Sequence, residues 1–402
     1  MGGYILSPMP FCSLSRNLLS ALFLFSLVPL MTAQQPLALS SPLDDQVFQR
    51  LTRDLGFVQV RGHLAMVADK IEARVLETAD TQSAPVHRLS QKWHRLAFNK
   101  ISGDFDVAIP TPPGGFYSFE VRARKGHAVV AQTIIAHVGV GEVFLISGQS
   151  NSTNYGEVLQ TTKTRMVTTF DGTAWRIADD PQPGTQDHSK KGSFIPSFGD
   201  AMAAHYHVPI AVASVGHGST SVRQWLPAGE NVEVMPTMMR YVTKNSDGTL
   251  TSTGALFDGM MNRIRQLEAA APPGGHGFRA LLWHQGESDS HQKPEHEISG
   301  ATYRRMLEHV ILSVRKQAGW EVPWFVANAS YGNPQTPEWP PVREAQQTLW
   351  HSGVALPGPD TDTLGSCYRQ NHGAGVHFSD TGLKAHGQLW AQAVEPWLDK
   401  LP

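Results

Sequence analysis

The chain has 402 residues, room for about two or three domains, and carries 33 Lys and Arg against 35 Asp and Glu for a net charge of −2. That balance excludes a sequence-independent nucleic-acid binder, which needs a concentrated basic surface; an apolar content of 41% excludes disorder as the main state. The two cysteines, Cys12 and Cys367, allow no disulfide framework and no Cys-based zinc site, and the 18 histidines contain no close-spaced ligand motif. No metal or other cofactor is expected.

The first stretch reads as an address. Arg16 precedes an uncharged apolar run from Leu18 to Leu30, and Met31-Thr32-Ala33 sets a small residue before Gln34. A basic flank, a short apolar run and a small exit residue predict a secretory signal over 1–33, too short and too interrupted by Pro29 for a membrane span. Cys12 lies ahead of the run, which argues against a lipoprotein cysteine. No later stretch reaches 18 apolar residues, so the mature chain is expected in a periplasm or outside the cell, with no stable membrane span.

From about Leu43 to His137 the pattern has period two. Phe105, Val107 and Ile109 alternate with Asp104, Asp106 and Ala108; Tyr117, Phe119, Val121 and Ala123 alternate with Ser118, Glu120, Arg122 and Arg124. Lys125-Gly126 then leads into a hairpin partner, Ala128 to His137, and Ile71, Ala73 and Val75 add a strand. Short strands and Pro-Gly turns predict a small β-sandwich over 43–137. From 138 to 402 strands alternate with helices. Strands are expected at Val143–Ile146, Ile210–Ala213, Ala280–Trp283, Trp324–Ala327 and Val354–Leu356. Helices are expected at Leu256–Leu267, Tyr303–Ala318, Arg343–Trp350 and Thr381–Leu398. Such alternation predicts an α/β domain with a mostly parallel sheet between helices, and a site at the carboxyl ends of its strands.

Those strand ends hold unusual residues. The first runs into Gly148-Gln149-Ser150-Asn151, where a serine in a Gly-led turn presents hydroxyl and backbone N–H together, as a nucleophile does. It is not the GxSxG elbow, because Ser152 replaces the second Gly. The second runs into Gly216-His217-Gly218-Ser219, a Gly-rich turn whose backbone N–H can approach a ligand oxygen. The third runs into Trp283-His284-Gln285-Gly286-Glu287-Ser288-Asp289, a polar cluster that a plain core strand would not gather. Near the C-terminus His377 precedes Ser379, the predicted N-cap of the last helix.

These blocks, with Gln224-Trp225 and Leu256-Phe257-Asp258-Gly259-Met260, resemble those of the SGNH hydrolases, more narrowly carbohydrate esterases of the sialate O-acetylesterase type. The resemblance runs from about Gly141 to the C-terminus, and it implies the flavodoxin-like α/β/α fold with an accessory β-sandwich ahead of it. It implies Ser150 as nucleophile, His377 as general base, and an oxyanion hole from the N–H groups of Ser150 and Gly218 with the side chain of Gln285. The implied substrate is an acetylated carbohydrate, attacked through an acetyl-serine.

One departure stands out. The wider superfamily places Asp three residues before the catalytic His, where this chain has Ala374. Glu287 is the first substitute, then Asp289 and Asp362; Asp380 reads as a first-turn helix residue. A Ser-His dyad, or a backbone carbonyl on His377, stays open. Trp175, in the long segment Tyr155–Gly192, is either a sugar-stacking residue or part of a surface excursion. Arg223 either meets the carboxylate of a sialic or uronic acid or makes an ion pair. Two other functions stay open as well: a non-catalytic carbohydrate-binding protein on an esterase scaffold, supported by Ala374, and a broader short-chain acyl esterase.

Overall fold

The computed structural model describes residues 35–78, 89 and 91–402; the expected signal segment, Cys12 included, lies outside the described residues. The chain first forms β1 (Leu37–Ser41), β2 (Val47–Gln49), β3 (Gly56–Leu64), β4 (Lys70–Glu77), β5 (His94–Leu96), β6 (Asp104–Thr111), β7 (Gly114–Lys125) and β8 (Ala128–Gly148). The expected alternation is present: Tyr117, Phe119, Val121 and Ala123 of β7 point inward, while Ser118, Arg122 and Arg124 point out. β1, β3 and β6 form an antiparallel sheet, and β4 pairs with β5 and β7 while β7 pairs with β8. Inward residues of both groups, among them Val58, Val60, Phe105 and Ile109 with Ile71, Val75, Phe119 and Val121, fill one apolar core.

β8 is 21 residues long and changes character midway. Ala128 to His137 is exposed or half-buried, whereas Val138 to Gly148 is wholly buried. The first half is a hairpin partner of β7; the second is a strand covered on both faces, which favours a continuous apolar run over alternation. The expected boundary at 137/138 therefore lies inside one strand. A buried ion cluster ties the two parts there: the Glu142 carboxylate accepts from Arg50 (2.6 Å), Arg279 (2.7 Å) and Gln49 (2.8 Å).

Beyond β8 come β9 (Val167–Phe170), β10 (Trp175–Ile177), α1 (Ile195–Tyr206), β11 (Ile210–Ser214), β12 (Val242–Lys244), β13 (Leu250–Ser252), α2 (Ala255–Glu268) and β14 (Ala280–His284). α3 (Gly300–Ala318), β15 (Trp324–Asn328), α4 (Pro340–His351), β16 (Leu356–Asp360) and α5 (Asp380–Leu398) complete the chain. The central sheet has the order β10-β9-β11-β8-β14-β15-β16, with parallel neighbours except for the edge strand β10.

Its two faces are read off β8. Val143 and Leu145 share a core with α2, α3 and α4, through residues such as Met260, Leu307, Val310 and Leu349. Phe144 and Ile146 share another with α1 and α5, through Phe198, Met202, Trp390 and Val394. Each such buried side chain contributes about 1.5–3 kcal/mol. Ser379 caps α5 by accepting from Gly382 N–H (3.2 Å), as expected, and Ser299 likewise caps α3 by accepting from Thr302 N–H (3.1 Å). Val354 stands in the turn ahead of β16, so that strand starts two residues later than expected. No helix among the described residues is long and apolar enough to cross a membrane.

Candidate active site

β8, β11 and β14 are adjacent and parallel, so the turns after them emerge side by side. After β8, Ser150–Ser152 forms one short helical turn, closed by Ser152 N–H on the Gln149 carbonyl (2.8 Å) and Thr153 N–H on that of Ser150 (3.0 Å). Ser150 is 5% exposed. Its neighbours tie the turn down. The Gln149 side-chain carbonyl accepts from the N–H groups of Gly286 (3.2 Å) and Ser288 (3.0 Å), joining the turns after β8 and β14. The Asn151 amide donates to Glu287 (2.8 Å) and to the carbonyl of Val376 (3.3 Å), the residue before His377.

The turn after β11 is held from both sides. Gly218 packs against Tyr155: a Cβ at Gly218 would lie 2.5 Å from the tyrosine hydroxyl, so a larger residue would have to displace the tyrosine ring. The Tyr155 ring lies 5.1 Å from that of His377 and so bridges the turn to the histidine. The Gly218 N–H, expected to face an oxyanion, donates to Asp187 (2.7 Å). Ser221 begins a short helical turn over Val222–Trp225, and its hydroxyl donates to Asp289 (2.5 Å).

Gln285 is fully buried, and its amide is committed to the scaffold. It donates to Asp289 (2.7 Å) and to the Thr220 carbonyl (3.1 Å), while its own oxygen accepts from Tyr303 (3.0 Å). Gln285 thus anchors the turn rather than directing a free N–H at Ser150. Asp289 also accepts from Val222 N–H (2.8 Å) and pairs with Arg223 (3.3 Å), both side chains being 0% exposed. Arg223 is therefore a buried structural cation, neither a surface pair nor a substrate contact. Trp175 stacks on Phe170 (centroids 4.6 Å apart) against the core under α2, and no contact joins it to Ser150 or His377.

None of the three acids hydrogen-bonds His377. Asp362 is held by Ser330 (2.6 Å) and Arg343 (2.9 Å), Asp289 by the partners above, and Glu287 by Asn151. Asp380 sits in the first turn of α5, as expected, with Lys384 (2.6 Å) and Gln160 (3.0 Å) on its carboxylate. The group on His377 is the Gln370 amide, whose nitrogen lies 2.9 Å from Nδ1.

Burial pushes the His377 imidazole below its ordinary pKa; the Glu287 charge opposes that, and Lys191 and Arg369 add to it. Burial likewise raises the Glu287 carboxyl. His284 is fully buried, its pKa pushed down to about 3, and so neutral, with Nε2 on the Thr361 hydroxyl (3.0 Å). Arg369 spans three backbone carbonyls, those of Leu364, Val376 and Thr361 (2.7–2.9 Å), under the rings of Tyr331 and Phe378, and so sets the path of the chain before His377. A cleft of about 220 Å³ opens beside the site between Ser219, Met238, Glu287 and Ser288. No group of three or more metal-ligating side chains converges among the described residues.

Sequence reasoning missed Tyr155, Asp187 and Gln370. Gln149 and Asn151 stood in a recognised block, but Asp187 lay in a segment with no periodicity and Gln370 seven positions from its partner, so neither carried a signal.

The serine and glycine turns stand at adjoining ends of a parallel sheet between helices, with the histidine loop following the edge strand β16, and the family match gives the class, a carbohydrate esterase. Residues 140–395 match the model described as carbohydrate esterase, sialic acid-specific acetylesterase, and the chain belongs to that family. It is a carbohydrate O-acetylesterase. Among solved structures, a carbohydrate acetylesterase from Xanthomonas citri is 16% identical with a TM-score of 0.51, over 88% of this chain and 73% of that one, a likeness of fold. An Arabidopsis thaliana protein (18% identity, TM-score 0.44, 65% of this chain and 99% of that one) is more distant in shape. No curated protein matches the chain.

Proposed function

We propose that the protein is an exported serine esterase that removes O-acetyl groups from carbohydrates through an acetyl-Ser150 intermediate. In this reading residues 138–402 form an SGNH-type three-layer domain and residues 43–137 an accessory β-sandwich. The apolar run Leu18–Leu30 behind Arg16 supports export.

The observation that carries the mechanism is the Asn151 amide. By donating to both Glu287 and the Val376 carbonyl, it draws the nucleophile turn, the turn after β14 and the histidine loop onto one point. His377 takes the Ser150 Oγ proton as Oγ bonds the acetyl carbon. When the tetrahedral intermediate collapses, the ester C–O bond breaks and His377 returns the proton to the sugar oxygen. Water, deprotonated by the same imidazole, then releases acetate and restores Ser150. The Ser150 N–H faces the oxyanion, which competes with Asp187 for the Gly218 N–H; one such donor contributes about 2.7–4 kcal/mol to the transition state. With Arg223 paired to Asp289, exposed Lys191 is the cation placed to meet an acidic sugar.

The test is acetate release by wild type and Ser150→Ala from 4-nitrophenyl acetate, acetylated sialic acid and acetylated xylo-oligosaccharides. Release that disappears in the variant is expected, and the preferred sugar names the substrate. Equal release by both proteins would sink the mechanism.

A further inference from the structure

Resting on His377 as the general base, we propose that Gln370 is the positioning residue that orients its imidazole, in the place where an acid is missing. The acid position three residues ahead is Ala374. Asp289 and Asp362 bond other partners, and Glu287, held by Asn151 through one oxygen with the other unpartnered among the described residues, makes no hydrogen bond to His377. Among the described residues, the one side-chain polar group in hydrogen-bond reach of Nδ1 is the Gln370 amide, its nitrogen at 2.9 Å.

That contact is built into the chain. Gln370 N–H donates to the His377 carbonyl (2.9 Å), and the Gln370 carbonyl accepts from the N–H groups of Gly373 (3.1 Å) and Gly375 (3.0 Å). Arg369 and Phe378 pair across the same ladder. The loop from 370 to 377 is thus closed on itself, and amide and imidazole are held as one unit. A Cβ at Gly375 would lie 2.4 Å from Gln370 Cγ, so residue 375 has no side chain where the glutamine stem passes.

The chemistry selects one orientation of the amide. An amide presents either its carbonyl or its NH2 after a half-turn about its last side-chain bond, and the rest of the Gln370 amide has no other partner among the described residues. With the carbonyl on Nδ1, the imidazole carries its proton there and Nε2 is free to accept the Ser150 proton. With the NH2 on Nδ1, the orientation drawn in this structure, the imidazole Nε2 is protonated and cannot act as a base, so the active form is reached by the half-turn of the amide. Turnover therefore requires the carbonyl to accept from Nδ1–H.

A triad carboxylate does two things: it chooses the tautomer and it stabilises the imidazolium. Here the two are divided. Gln370 chooses the tautomer without adding charge. The charges around the ring come from Glu287 after β14, Lys191 ahead of α1 and Arg369 on the histidine's own segment, with the Tyr155 phenol ring alongside; of these, only Glu287 favours the imidazolium.

The experiment compares full-length wild type, Gln370→Leu and Gln370→Glu by kcat and KM across pH, with 15N-NMR of the His377 ring. Gln370→Leu is expected to lower kcat by about 10²-fold, the lower end of what a positioned general base contributes, with KM within about twofold. Gln370→Glu can only accept; it is expected to restore kcat and to move the acid limb to higher pH, because a carboxylate on Nδ1 favours the imidazolium. Neutral wild type is expected to show the Nδ1–H tautomer, lost in Gln370→Leu. Unchanged kcat in Gln370→Leu, an unmoved limb in Gln370→Glu, or an Nε2–H tautomer in wild type each overturns the proposal. If wild type releases acetate without needing Ser150, the functional reading fails, while the ring tautomer in wild type and Gln370→Leu still decides the role of Gln370.

Discussion

The two halves of β8 belong to regions that treat polar side chains in opposite ways. In the N-terminal sheets charges pair across strands on outward faces. Arg61 with Asp106 is 42% and 48% exposed, and Arg74 and Arg122 reach Glu120 and Glu72 over the Trp93 ring. At the ends of β8, β11 and β14 the polar groups are inside: Arg223, Asp289 and Gln285 have essentially no exposed side chain. Exposed pairs gain about 0–1 kcal/mol, while buried ones must offset several kcal/mol of desolvation through full hydrogen bonding. Around Asp289 the network is complete in that sense, since the carboxylate accepts from Ser221, Val222, Arg223 and Gln285. The lesson is that cavity size does not mark the site. The groove of about 520 Å³ between Arg61, His63 and Asp104 is lined by none of the site residues, whereas the cleft beside Glu287 is about 220 Å³.

That contrast can be broken at several points. The largest effect is expected at Ser150, where Ser150→Ala lowers kcat by at least about 10⁴-fold without changing thermal unfolding. Next is Asp289→Ala, which strands Arg223 at 0% exposure; denaturant unfolding should record a loss of about 3–5 kcal/mol. A loss below about 1 kcal/mol would show that Asp289 is as replaceable as a surface partner.

A subtler effect is expected in the pH profile. The base acts only when neutral, so activity is present above the His377 pKa and lost as pH falls through it. Burial lowers that pKa, which puts the acid limb of kcat/KM below the ordinary imidazole value of about 6.5. Glu287→Gln removes the charge that opposes this shift, so the limb moves to still lower pH; movement upward would contradict the arrangement. The smallest effect belongs to Arg61→Ala in the N-terminal sheets, expected to cost under about 1 kcal/mol in the same unfolding assay and to leave kcat unchanged.

Much of the architecture was legible because its signals are local. Alternation in β7, continuous apolar runs in β8, β11, β14 and β15, and the cap Ser379 are properties of short segments. α1 escaped notice because Pro196 and Gly199 interrupt its helical pattern, and β9 because it is four residues long with two threonines in the middle. Of the site, Ser150, Glu287 and His377 were legible as blocks, and the structure gathers their turns. Which side chains are committed was not. Gln285 and Gly218 carry the right groups by sequence, yet Asp289, Thr220 and Asp187 take them.

The sequence by itself determined the alternation of the main strands and helices, the membership in an esterase family and the residues at the strand ends, because periodicity and short motifs are written along the chain. Only the tertiary structure decided the partners: Arg223 on Asp289, Asn151 across to Val376, and Gln370 rather than a carboxylate on His377. A hydrogen bond depends on a separation of about 3 Å in space, and apart from Gln370 and His377 these partners stand 66 and 225 positions apart in the chain.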